Sequence, residues 1–136
     1  MEQILLTALF AAATKQFDLP QGLLASLCYV ESAHDTSAIH HDDGGTNSVG
    51  ICQVKLSTAQ WLGFKGTEKE LMEPKTNIYY AAKYLKYNIS RYKDHIKGVV
   101  AYNRGNALGL TSSKYSDKVI NQWRNYGTTS TSNHRD

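Results

Sequence analysis

Two cysteines, two prolines and three phenylalanines are all that this chain of 136 residues contains of those types, and no apolar run approaches the length of a membrane span. Each shortage excludes something. Cys28 and Cys52 form no CxxC pair, and the five histidines show no HExxH spacing, so no metal site and no cofactor are expected. The sequence leaves open whether the two cysteines meet, and they are read here as small buried thiols rather than a disulfide. Charge is also in short supply. A net charge of +3 is far from the basic signature of a nucleic-acid binder, though it would favour an anionic surface. The N-terminal stretch MEQILLTALFAAATKQFDLP has no Lys or Arg before its apolar run, begins with Glu2 and is interrupted by Thr7, so it is not read as a signal peptide. No internal repeat, charge block or linker divides the chain.

What remains is an ordinary soluble composition, 41% hydrophobic, long enough for one domain with a real core. The domain is placed at residues 1–126, with 127–136 as a polar tail expected to be disordered. Apolar residues recur at helical spacing over 3–17. A second helix is predicted over 20–31, with Pro20 in its first turn, and it is apolar almost all round, as a central helix should be. A short helix follows from Leu56 to Leu62, and Thr67 opens a capping box. Pro74 starts the longest helix, 74–92, with Ile78, Ala81, Ala82, Leu85 and Ile89 as its buried stripe. Asp94 caps another that ends at Gly105. A last helix is predicted over 115–126. No strand pattern is long enough to challenge an all-α fold, although the loop around Asp43-Gly44-Gly45 has room for a small hairpin.

The stretch from Leu24 to Val54 concentrates the chemistry. The apolar helix delivers Glu31, a carboxylate whose burial would raise its pKa. An aperiodic polar segment follows from Ala33 to Val49, carrying His40, His41, Asp42 and Asp43. Gly50-Ile51-Cys52-Gln53-Val54 closes it with one amide in an apolar run. A long loop in a compact domain is often functional. An acid at the end of a buried helix, facing such a loop and an amide, suits glycan cleavage. Nine tyrosines add flat apolar faces with polar tips.

Four segments, in order, resemble the lytic transglycosylases of the soluble type, which share the goose-type lysozyme fold. Glu31-Ser32 is similar to that family's catalytic Glu-Ser pair. Gly50-Ile51-Cys52-Gln53-Val54 is similar to its Gly-Leu-Met-Gln-Ile/Val segment, with Cys where Met is usual. Asn77-Ile78 with Tyr84-Leu85 resembles its Asn-Ile…Tyr-Leu helix. Val100-Ala101-Tyr102-Asn103-Arg104-Gly105 resembles Ala-Ala-Tyr-Asn-Ala-Gly. Tyr115 with Val119 is a weaker fifth match. The resemblance spans about residues 3–126 and implies an all-α, lysozyme-like fold with a small loop or β element after the catalytic helix.

It also implies roles. Glu31 would protonate the glycosidic oxygen between N-acetylmuramic acid and N-acetylglucosamine in peptidoglycan, then act as base on the C6 hydroxyl, leaving a 1,6-anhydro end. Tyr102 would orient the acid and Ser32 would support it or the local backbone. Gln53, Asn103 and Ile51 would contact sugar, Tyr115 would line the cleft, and Asn77 would be structural. The partner would be the glycan strand of the wall, bound by a monomer, with no nucleic acid and no membrane span. Without a signal peptide, release through a holin or carriage in a virion would bring a phage-encoded protein to the wall. Two alternatives stay open. Goose-type lysozymes use a loop Asp to activate water, a part that Asp42 or Asp43 could take in an inverting muramidase. A catalytically silent wall-binding or virion module is the other.

Overall fold

The computed structural model describes the backbone of residues 2–41 and 45–135, and side chains up to Tyr126. Among the described residues seven helices and one small sheet follow each other: α1 (Glu2–Gln16), α2 (Leu23–Ser32), β1 (Ile39–His40), β2 (Ser48–Val49), β3 (Val54–Lys55), α3 (Leu56–Trp61), α4 (Glu68–Leu71), α5 (Pro74–Tyr92), α6 (His95–Arg104) and α7 (Lys114–Arg135). The mainly helical, lysozyme-like architecture expected from the sequence is the one observed.

Local chemistry accounts for the helix ends. Thr67 and Glu70 exchange side chain and backbone bonds in a capping box at the start of α4. The Asp94 carboxylate accepts from the Lys97 N–H at 3.0 Å to cap α6, and Gly105, at φ 92°, ends it. Helix α5 begins at Pro74 and ends at Tyr92, as its pattern predicts. Two boundaries differ. Helix α2 starts at Leu23, not Pro20, because the chain first turns through Gly22 in a left-handed conformation (φ 85°). A side chain at Gly22 would also run into the Tyr126 ring. The helix predicted to stop at 126 continues to Arg135, through the polar stretch read as a tail.

Helix α5 is the hub, packing against α1, α2, α4, α6 and β3, and α2 is enclosed beside it. In α2, Leu23, Leu24, Leu27 and Cys28 are fully enclosed, and that helix also packs on α7. Burying four such side chains contributes on the order of 6–10 kcal/mol before the entropy of ordering is charged against it. The β element is a three-stranded antiparallel sheet in the order β1-β2-β3, registered by Ile39 on Val49 and Val49 on Val54.

The reading of Cys28 and Cys52 as thiols is overturned. They form a disulfide, with Cα atoms 4.3 Å apart, that joins α2 to the segment between β2 and β3. Their wide separation along the chain concealed a contact that only the packing of the sheet against α2 creates.

Candidate active site

Asn77 supports the segment that carries Gln53, from behind the cleft. Fully buried on α5, its side chain accepts from the Cys52 N–H at 2.9 Å and donates to the carbonyls of Val49 at 2.8 Å and Leu71 at 3.0 Å. Two backbone groups of the irregular segment and one at the end of α4 are thus satisfied by one amide, which helps that segment to be buried. Gly50 is required there twice over: its φ is 83°, and a Cβ would collide with the Asn77 side chain. From the other side, the Ser32 hydroxyl donates to the Ile51 carbonyl at 2.6 Å and accepts from the Asp35 N–H. The disulfide adds a covalent tie between the same two elements.

Between them lies a cleft of about 380 Å³. Glu31 reaches it from the last turn of α2. Ser48, Gln53 and Lys55 line it from the sheet, Ser57 and Thr58 from α3, Tyr84 from α5, and Tyr102, Asn103 and Arg104 from α6. Among the described residues Glu31 is the one carboxylate in this lining. Burial raises its pKa above the ordinary 4.5. Two effects oppose that rise: the Tyr115 hydroxyl donates to the carboxylate at 2.5 Å, and His40 contributes positive charge. Tyr115 itself is held as a neutral donor, its pKa driven far up by burial and by the Glu31 charge.

Several expected contacts are redistributed. Tyr102 lines the cleft, but its hydroxyl donates to the Cys52 carbonyl at 2.8 Å. The hydrogen bond to Glu31 expected of Tyr102 comes from Tyr115, which is not among the cleft-lining residues. Tyr102 stays beside the acid electrostatically, since the Glu31 charge helps to raise its pKa after burial has done most. Ile51 does not face the cleft: its side chain is fully buried in the core. Gln53 lines the cleft, yet its amide is engaged within the protein. Its Nε2 donates to the carbonyls of Ala38 at 3.1 Å and Gly50 at 2.9 Å, and its Oε1 lies 3.0 Å from His40 Nδ1. With both amide protons used, Oε1 is left to accept, so the His40 ring donates to it from Nδ1. Asn103 is exposed in the lining, as expected of a sugar contact. Asp42 and Asp43 lie outside the described residues.

His40 is the residue that sequence reasoning missed. Nothing in a polar His-His-Asp-Asp run marks one histidine as fixed, and only the register of β1 beside β2 brings it to Gln53. Backbone strain is concentrated nearby. Of the non-glycine residues with positive φ, Ala33 (55°) and His34 (63°) follow the acid directly and Gln53 (53°) faces it. His34 is held by a 2.9 Å contact to the Ala25 carbonyl and by ring packing on Phe10. Among the described residues no group of three or more His, Cys, Asp or Glu is placed to hold a metal.

A part-buried acid in a polar cleft on a helical frame is an arrangement suited to an enzyme. Comparison with known proteins gives the family. The transglycosylase SLT domain model matches residues 8–123, and the chain belongs to this family of lytic transglycosylases. It is 25% identical over 127 residues to Protein IpgF of Shigella flexneri, covering 90% of this chain and 84% of that one. It is 29% identical over 112 residues to a transglycosylase of Enterobacteria phage PRD1, covering 80% of this chain and 39% of the phage protein. An inactive mutant of the lytic transglycosylase Slt from Pseudomonas aeruginosa superposes with a TM-score of 0.62 at 21% identity, over 86% of this chain and 20% of that one, a likeness of fold.

Proposed function

We propose that the protein cleaves the β-1,4 bond between N-acetylmuramic acid and N-acetylglucosamine in peptidoglycan and leaves a 1,6-anhydromuramic end. The observation that carries this is the Glu31 carboxyl: buried in the cleft, raised in pKa and gripped by the Tyr115 hydroxyl. A raised pKa keeps a larger share of the acid protonated near neutral pH, as donation to the glycosidic oxygen requires. The C1–O4 bond breaks as the proton moves to O4. The carboxylate so formed takes the proton of the muramoyl C6 hydroxyl as that oxygen bonds to C1. The acid is regenerated and no water is consumed.

Asn103 is the cleft residue best placed to bind an N-acetyl group, whereas Gln53 serves by holding β1 and His40 in place. Lys55 and Arg104 give the cleft a cationic side suited to a carboxylate-bearing strand. The phage relative supports a role in lysis or wall penetration, with export through a holin or in a virion, and a disulfide suits the oxidising side of a membrane.

Digestion of purified peptidoglycan followed by mass spectrometry tests the reading. Anhydromuramic ends are expected, and reducing muramic ends alone would establish a hydrolase and overturn it. Wall binding with no fragment release would identify a silent module. Glu31→Gln should lower cleavage by about 10²–10⁴-fold, the share general acid catalysis supplies.

A further inference from the structure

Beyond the cleft, where α3, α5 and the end of α6 converge, two large aromatic side chains stand open to solvent. Trp61 is 61% exposed and Tyr87 is 41% exposed. Their ring centroids are 4.9 Å apart at 80°, an edge-to-face pair that fixes both planes. Arg91 completes the corner. Its guanidinium lies 4.8 Å from the Tyr92 ring centroid and 5.8 Å from that of Tyr87. Its Nη1 donates to the Asn88 side chain and to the Gly105 carbonyl, each at 3.2 Å. The hollow these groups enclose measures about 330 Å³ and shares Ser57, Thr58, Tyr84 and Gly105 with the cleft that holds Glu31.

Each part has a physical meaning. A tryptophan left mostly in water gives the fold little, but it offers a flat apolar face where a pyranose ring could lay its C–H side. The arginine is held by stacking and by a backbone carbonyl, so it loses little freedom on meeting a carboxylate. The shared wall makes the two hollows direct neighbours.

Resting on the function proposed above, the geometry points to a distal saccharide subsite: the Trp61–Tyr87–Arg91 corner binds a further N-acetylhexosamine ring of the same glycan strand, stacking it on Trp61 and pairing Arg91 with a carboxylate of the muramoyl substituent, on its stem peptide or on the lactyl group where the peptide has been removed. The subsite lengthens the grip on the strand and takes no part in bond cleavage. It therefore lowers KM for long strands without changing kcat on short ones.

Binding separates this inference from the cleavage reading. In the Glu31→Gln background, titration with neutral chitin oligosaccharides should shift tryptophan emission, and Trp61→Phe should abolish most of the shift while retaining affinity. Trp61→Ala should weaken binding about tenfold, both to chitin oligosaccharides and to peptidoglycan strands. Arg91→Gln should weaken only the acidic strands, and strands stripped of stem peptides by an amidase report whether the lactyl carboxylate or the peptide supplies the charge. Equal affinities for Trp61→Ala and its parent would overturn the subsite. In the active protein, Trp61→Ala should raise KM on long strands. An unchanged KM beside normal fragment release would defeat the subsite and leave the function standing. Trp61-dependent binding with no fragment release would defeat the function and leave the subsite. The exposed position of Trp61 makes loss of folding an inadequate explanation, and an unaltered melting temperature checks it.

Discussion

Glu31 and Tyr115 sit 84 residues apart in sequence, and their hydrogen bond tempers the pKa rise that burial imposes on the acid. The sign of its effect is testable. That bond favours the ionised carboxylate, so removing it should raise the Glu31 pKa further. The activity of a general acid falls as pH rises through its pKa. Tyr115→Phe should therefore move the alkaline limb of the pH–rate profile upward, while activity at the optimum drops about tenfold through loss of orientation. His40→Gln should move the limb in the same direction, since it withdraws a positive charge. A downward shift in either variant would contradict the assignment. Stability follows from the same group. The folded protein binds the Glu31 proton more tightly than the unfolded chain, so this carboxyl's contribution is fully present below pH 4.5 and is lost as pH rises through the raised pKa. Glu31→Gln should consequently melt higher than its parent at pH 7, with the gap closing as the pH falls toward 4.5. The acid itself was legible in the sequence because it ends an apolar helix. Which tyrosine holds it was not, because that depends on how α6 and α7 cross α2.

At the scale of elements, the irregular run from Val49 to Val54 depends on side chains that arrive from elsewhere. Asn77→Ala would strand the Cys52 N–H and the Val49 and Leu71 carbonyls. At about 1–3 kcal/mol for each buried group left unpaired, the loss should be at least ~3 kcal/mol, read by chemical denaturation. Substitution by Asp should rescue little, because only the Cys52 N–H has a donor's need for an acceptor. The helices were readable because their signals are local: Pro74 at the head of α5, Asp94 and Gly105 bracketing α6, the Thr67 box. The small β element after α2 was expected, but its third strand and its register were not, since strands of two residues carry no periodicity and their pairing is decided by what they cover. The start of α2 was misplaced for a related reason. Pro20 signals a helix start by type, while Gly22 sets the actual one through its left-handed backbone.

Over the whole molecule, the disulfide is the strongest departure from the sequence reading, and it predicts a redox dependence. Closing a loop of 24 residues contributes roughly 3 kcal/mol through the unfolded chain. Reduction under mild denaturant, or Cys28→Ser with Cys52→Ser, should lower the melting temperature on the order of 10 °C. Cleavage should fall more steeply than stability, because the bridge fixes α2 against the segment whose Cys52 carbonyl anchors Tyr102. Free-thiol titration of the native protein should find none. The global architecture was otherwise within reach of sequence, since its motifs occur in order along nearly the entire chain. The assembly of the site was not, because its parts come from α2, the sheet, α3, α5, α6 and α7 together.

That dispersal bears on synthesis. On the ribosome, Glu31 emerges with its helix while the first turn of α7, which carries Tyr115, is still untranslated. Until the elements around it pack and shut out water, the carboxyl is an ordinary one, ionised at neutral pH, because burial is what raises its pKa. The growing chain thus holds the proposed acid without its raised pKa, which arrives late, with the closing of the fold.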